Sequence, residues 1–204
     1  INHNIMKKNN KKNVAVFGAD GFIGLHLCKK LAEDDYLVIA CVRKKITKNL
    51  RQLNHKNINI IEVGNLLKIK NIKLADKNNV SYIVNLAGKA HDTKKNDFKI
   101  YKEKHNIINI EKNIRNNFDC NKIPFIQVSS AKADDTSRKN IDNMKMSYSL
   151  LKLRSEAYVK KYFKKYIILR PPLLYGPNVK ANFLALMTLV SYGIPLPLKK
   201  VKNL

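Results

Sequence analysis

Apolar and polar positions in this chain come in alternating blocks. Short runs rich in Val, Ile, Leu and Phe lie at Asn13–Phe17, Leu37–Val42, Ile58–Val63, Ser81–Leu86, Pro124–Ser129 and Tyr166–Arg170. Segments of helical period separate them. In Phe22–Glu33 the residues Ile23, Leu27, Lys30 and Leu31 fall near i, i+4, i+7 and i+8. Phe98–Asn117 and Tyr148–Phe163 predict two more helices. Leu37–Val42 is apolar throughout, as a parallel strand covered on both faces should be. Strand, helix, strand in repetition predicts an α/β fold, a doubly wound parallel sheet with helices on both faces. The apolar stretches Tyr36–Val42 and Phe183–Val190 fit a buried strand and a core helix.

The glycines sharpen this layout. Of seven, three fall in Gly18–Gly24, directly after the first strand, and Gly64, Gly88 and Gly176 each follow a predicted strand. In an open parallel sheet ligands bind beyond the carboxyl ends of the strands. Backbone approaches a ligand most closely where no Cβ intervenes. The run Gly18-Ala19-Asp20-Gly21-Phe22-Ile23-Gly24 is G-x-x-G-x-x-G between a strand and a helix. Its glycines allow a tight turn, approach to a pyrophosphate and close helix–strand packing. The helix that follows offers free N–H groups and a positive dipole end to the phosphates. This is a Rossmann-type NAD(P)-binding signature. Gly18, Gly21, Phe22, Ile23 and Gly24 are therefore candidate cofactor residues. Val42, at the end of strand two, stands where NAD binders carry an acid for the ribose hydroxyls, and Arg43-Lys44-Lys45 follow it. Arg43 suits a 2′-phosphate, so NAD and NADP both stay open.

Tyr148 and Lys152 form Y-x-x-x-K on a predicted helix, four residues apart and hence on one face. A tyrosine of pKa near 10 is a poor base at neutral pH, and a nearby ammonium lowers that value. Ser129-Ser130 ends the fifth strand.

With these elements in place, the chain resembles the extended short-chain dehydrogenase/reductases, the NAD-dependent epimerase/dehydratases. The resemblance runs from Asn13 onward through Gly18–Gly24, Asn85-Leu86-Ala87-Gly88, Asn106, Val128-Ser129-Ser130, Tyr148 with Lys152, and Leu169 to Pro177. Val179–Leu184 and Gly193–Leu198 resemble a bacterial subgroup acting on UDP-N-acetylhexosamines in surface-polysaccharide synthesis. The resemblance implies Tyr148 as general base on a sugar hydroxyl and Ser130 as its hydrogen-bonding partner. It implies Lys152 on the nicotinamide ribose, with hydride transfer at sugar C4. Asn65, Leu66, Ala87, Gly88 and Pro171 would line the cofactor, and Asn182 would bind the substrate diphosphate. Asn65 replaces a frequent Asp, and Leu173 a frequent Asn. Ser130-Ala131-Lys132 stands where the family's dehydratases carry Thr-Asp-Glu, which argues against a 4,6-dehydratase. Epimerase and 4-keto-sugar reductase both remain. Family members commonly dimerise through the two long helices.

Composition adds boundaries. Hydrophobic residues at 45% suffice for a core. No apolar run approaches the ~20 residues of a membrane span, and no signal peptide is visible. Cys28, Cys41 and Cys120 are too scattered for a metal site, so no metal is expected and a reducing cytoplasm is. The formal net charge of +25 is spread along the chain, which speaks against a nucleic-acid patch. It leaves one rival, a non-catalytic dinucleotide-binding scaffold with a basic surface for RNA or another anionic partner. His26, His55, His91 and His105 stand singly, with His91 a minor candidate for the nicotinamide crevice. Asp134-Asp135 reads as a solvated loop, and Tyr158, Tyr162, Phe163 and Tyr166 as packing on the sheet. Residues 1–12 are expected to be a disordered basic tail, 13–178 the NAD(P)-binding domain, and 179–204 the start of a substrate lobe. The family resemblance carries a further expectation, that most of this lobe is missing and that the chain binds cofactor but turns over poorly.

Overall fold

A computed structural model describes residues 11–45, 48–74, 77–88, 108–136, 148–177 and 182–193. Six strands are formed: β1 (Asn13–Phe17), β2 (Leu37–Val42), β3 (Ile58–Glu62), β4 (Val80–Asn85), β5 (Phe125–Val128) and β6 (Tyr166–Leu169). They make one sheet in the order β3-β2-β1-β4-β5-β6, and every pairing is parallel. The helices are α1 (Phe22–Glu33), α2 (Asn109–Asn117), α3 (Tyr148–Tyr162) and α4 (Asn182–Ser191). The strand order reverses between β1 and β4, which is where an open sheet of this kind binds its ligand.

Strand period distributes the core over two faces. Val14, Val16, Val38, Ala40 and Val42 pack with Leu25, Cys28 and Ala32 of α1 on one face. Ala15, Phe17, Ile39, Cys41 and Ile83 pack on the other with Ile114 of α2 and Val159 of α3. A side chain at every second position thus serves one layer. That is why the central strands carry no polar alternation.

The edges obey a different rule. On β6, Tyr166, Ile167 and Leu169 are exposed, because among the described strands β6 has only one neighbour. The expectation that Tyr162 and Tyr166 pack on the sheet is therefore corrected. Phe163 is buried against Phe125, whereas Tyr162 lies outward, stacked on Tyr158. Asp134-Asp135 belongs to a 3-10 turn, Ala131–Thr136, and not to an open loop.

Compactness divides the chain into Ile1–Pro171, which holds the sheet, and Pro172–Leu204, which holds α4. The core-helix reading of Phe183–Val190 is also corrected, since Met187, Leu189 and Val190 of α4 are exposed.

All three cysteines are buried and free. Burial pushes the Cys28 thiol up to about 12, and the Cys120 thiol likewise to about 12. The thiolate is the reactive form, so thiol reagents are expected to leave the folded chain untouched at mildly alkaline pH and to label it fully in denaturant. Titration with Ellman's reagent, with and without guanidinium, checks this.

Candidate active site

The β1–α1 junction is closed by backbone. Gly18 N and Ala19 N both donate to Cys41 O of β2, at 3.1 and 3.3 Å, and Gly21 N donates to Gly18 O at 3.1 Å. Gly18 has φ +81°, and a Cβ there would lie 2.9 Å from Ala87 N. The loop is thus seated directly against the end of β4. A Cβ on Gly24 would lie 2.3 Å from Gly18 O and 2.7 Å from Ala19 Cα. Only glycine lets the loop and the first turn of α1 come this close. Gly21 is the N-cap of α1, yet no side chain caps the helix and its first turn holds no acid. The leading N–H groups of a helix have no intrahelical acceptor. A phosphate would complete this helix end, and the glycine cradle leaves it room. The residues present thus fit a dinucleotide. Phe22 and Ile23 open the helix, half-buried, as expected.

Lys152 projects from α3 to the same edge of the sheet. Its Nζ donates to Val128 O at the end of β5, at 2.9 Å. A Cβ on Gly88 would be 3.7 Å from that Nζ. Lys152 therefore stands between the ends of β4 and β5, next to the β1–β4 switch point. Burial holds its pKa below the ordinary lysine value, and attraction to Glu111 and Glu156 offsets part of that. The two serines after β5 part company. Ser129 is buried and its hydroxyl donates to Glu156 Oε1. Ser130 is half-buried, and among the described residues its Oγ accepts a long 3.3 Å bond from Lys132 N. Of the two, only the Ser130 hydroxyl is open to solvent at this edge, and Ser129 is enclosed. Tyr148 opens α3 one turn before Lys152 and Asn182 opens α4. Their side chains, with His91 and Asn106, lie outside the described residues.

Four residues that the sequence did not single out hold this edge together. Asn85 and Gln127 are register partners on β4 and β5, both on the face covered by α2 and α3. Asn85 Nδ2 donates to Gln127 Oε1 at 2.9 Å and Gln127 Nε2 to Ser155 Oγ at 3.2 Å. Glu111 Oε1 accepts from Ser155 Oγ at 2.5 Å, from Gln127 Nε2 at 3.3 Å and from Asn85 Nδ2 at 3.4 Å. Beside this cluster, Arg170 grips Glu156 with two bonds, Nε to Oε1 at 2.9 Å and Nη2 to Oε2 at 2.6 Å. Burial alone would raise the Glu156 pKa, but Arg170 and Ser129 outweigh it and hold the carboxylate below its ordinary range. The visible signal was strand parity, which puts Asn85 and Gln127 on a core face. Glu111 gave no signal, since α2 reads as a polar surface helix.

The remaining candidates are placed unevenly. Arg43 is exposed directly after the buried Val42, at the carboxyl end of β2. Nearby, Lys45 N donates to Glu62 Oε2 at 3.0 Å. Asn65 follows β3, but its Oδ1 accepts from Leu67 N at 3.1 Å, so the acceptor that a ligand would need closes a local turn. Leu66 has its side chain in the core and its carbonyl bonded to Asn113 Nδ2 at 2.6 Å, which leaves little but backbone to offer. Ala87 N is bonded to Asn85 Oδ1 at 3.1 Å, and Pro171 O accepts from Ala131 N at 3.0 Å. Among the described residues no cluster of His, Cys, Asp and Glu has metal-binding form. No described helix is long and apolar enough to cross a membrane.

Known proteins of this architecture agree with the geometry. The chain is 32% identical to a UDP-glucose 4-epimerase of Vibrio cholerae, over 91% of this chain and 59% of that protein. A dTDP-glucose 4,6-dehydratase from Bacillus anthracis, solved with NAD, superposes with TM-score 0.60 at 20% identity, over 89% of this chain and 62% of that one. A UDP-N-acetylglucosamine 4-epimerase from Methanobrevibacter ruminantium, in complex with UDP-N-acetylmuramic acid, gives 0.57 at 22%, over 90% and 64%. The chain thus spans about three fifths of the length of each, between 59% and 64%. The family model that matches covers residues 14–191, from β1 through α4, and the chain belongs to the NAD-dependent epimerase/dehydratase family.

Proposed function

We propose that this chain binds NAD or NADP across the carboxyl edge of its sheet and serves a sugar-nucleotide epimerase or 4-keto-sugar reductase working at sugar C4. The observation that carries the reading is the conjunction at the switch point. An uncapped α1 cradled by Gly18, Gly21 and Gly24 lies beside Lys152, which is held at Val128 O next to Gly88. The likeness to a UDP-glucose 4-epimerase supports a nucleotide-sugar substrate. A bound nicotinamide dinucleotide would supply the hydride acceptor and donor. The N–H groups opening α1 hold the pyrophosphate. The Ser130 hydroxyl orients the sugar hydroxyl, Tyr148 takes its proton, and the Lys152 ammonium favours the phenolate. Arg43 is the residue at which a 2′-phosphate is accepted or is of no consequence. Ala131 and Lys132 beside Ser130 supply no acid for loss of water, which favours epimerase or reductase over dehydratase. Two copies would pair through α2 and α3, which light scattering checks.

Separate titrations with NADH and NADPH, followed by nicotinamide fluorescence, test this. Saturable binding of one is expected, and its identity settles the role of Arg43. A folded chain that binds neither overturns the reading and leaves only the basic surface of the rival, for which salt-sensitive RNA binding would then be sought. Where interconversion of UDP-N-acetylhexosamines is followed by NMR, Tyr148→Phe is expected to lower the rate by about a hundred- to ten-thousandfold with binding of NADH retained.

A further inference from the structure

We propose that Glu111 is a positioning residue for Lys152, the buried counter-charge whose ionisation and that of the lysine fix one another. Glu111 is 3% exposed, and its Oε2 has no hydrogen-bond partner among the described residues. A buried carboxylate oxygen left unbonded is costly, and native structures keep such groups rarely and for a reason. Three donors gather instead on Oε1: Ser155 of α3, Gln127 of β5 and Asn85 of β4. None of the three carries charge. Lys152 is anchored to the same two elements, one turn before Ser155 on α3 and bonded to Val128 O, next in sequence to Gln127. The other carboxylate near the lysine, Glu156, is engaged by the Arg170 guanidinium and the Ser129 hydroxyl. Glu111 is therefore the carboxyl whose charge is not already answered by a bonded cation. On its own helix, the Arg115 guanidinium lies over the Tyr162 ring, 4.9 Å from its centre.

The electrostatics agree with the geometry. Burial raises the Glu111 pKa, while Ser155, Lys152 and Gln127 pull it back. Burial lowers that of Lys152, while Glu111 and Glu156 pull it back up. Each group thus favours the charged form of the other in a setting that disfavours both. Because Lys152 carries the phenolate-stabilising charge in the function proposed above, Glu111 acts on Tyr148 at one remove. The inference rests on that reading for the lysine's catalytic role and not for the coupling itself.

The coupling is testable without cofactor or turnover. Competitive acetylation across a pH series, read by mass spectrometry on the peptide carrying Lys152, reports the lysine's own titration. In Glu111→Gln, folded by circular dichroism, Lys152 is expected to react roughly tenfold faster at neutral pH, as its ammonium loses an opposing charge. An unchanged titration midpoint in folded Glu111→Gln overturns the proposal and leaves Glu111 a structural plug. The reciprocal measurement uses Lys152→Met. The infrared C=O band of a buried protonated carboxyl, assigned by its absence in Glu111→Gln, is expected to strengthen, because coupling must act equally in both directions. An unchanged band overturns the proposal too, and if Glu111→Gln does not fold, its absence in Glu111→Leu assigns the band so that Lys152→Met decides. NADH titration of the unmodified chain runs beside both. A chain that shows the coupling and binds no dinucleotide refutes the function and keeps the inference, and the opposite pair of results does the reverse.

Discussion

Gly24→Ala is expected to weaken dinucleotide binding roughly a hundredfold, about 2.8 kcal/mol, while the sheet still forms. The added methyl meets backbone on every side: Gly18 O at 2.3 Å, Ala19 Cα at 2.7 Å and Ala19 C at 2.8 Å. No rotamer can relieve a clash with main chain. The first turn of α1 must move away from the loop, and the N–H groups lose the aim that a pyrophosphate needs. Overpacking of this kind also costs stability, about 3 kcal/mol at the upper end of its usual range. Gly21→Ala is a control for folding alone, since Gly21 is itself one of the candidate phosphate residues. Its Cβ meets only Gly18 O, at 3.2 Å, so the neighbour needs to yield by tenths of an ångström. Fluorescence titration of both variants with NADH, alongside urea denaturation, separates binding from folding. Wild-type affinity in Gly24→Ala would show that this helix end does not hold the phosphates.

Arg170→Met is expected to destabilise the fold by about 3–5 kcal/mol at neutral pH, the usual cost of stripping one partner from a buried pair. The Glu156 side chain is 2% exposed and receives two bonds from this guanidinium. The pH dependence gives the sign. In the native chain the Glu156 carboxylate is held below its ordinary value of 4.5, so the folded state binds its proton less readily than the unfolded one. Its contribution is complete above that value and is lost as pH falls through the lowered one. In the variant only the Ser129 hydroxyl and the Lys160 charge still oppose the burial penalty, so the carboxyl's value rises. The deficit should therefore be largest at neutral pH and shrink under acid. Replacing both partners, Glu156→Leu with Arg170→Met, should recover most of the loss, since no stranded charge remains. Urea midpoints at two pH values suffice. A deficit independent of pH would mean that Arg170 acts by packing alone.

The layers of this fold were legible because its central strands are buried on both sides. Leu37–Val42 has no polar interruption, and such a run has few alternatives to a parallel interior strand. The glycine loop was legible because its glycines answer to backbone collisions, which leave a mark in sequence. Lys152 was legible through its spacing to Tyr148. The polar cluster was not, because its members come from β4, β5, α2 and α3, and nothing local tells a buried Glu111 from a solvated one. The turn role of Asn65 was hidden for a related reason, since its residue type suits a ligand and nothing local shows that its oxygen also closes the turn after β3. The exposed apolar face of α4 shows the same limit, since hydropathy reports what a segment would prefer to bury and not what is there to cover it.

The position of β1 has a consequence for how the chain reaches its structure. The first of the six strands to be synthesised lies mid-sheet, and its register on β4 pairs Phe17 with Asn85. Its second neighbour is thus made long after β1 itself. Contacts of such separation carry a large loop-closure cost before they return anything, and parallel sheets form slowly for that reason. Until β4 docks, Val14–Phe17 can rest on β2 and α1 alone, with one open flank. The glycine loop, which is braced against Ala87, cannot acquire its final shape any earlier. The shape of this loop is therefore expected to be settled late on the folding pathway, after β4 has docked, although β1, which it follows, is the first of the six strands to be made.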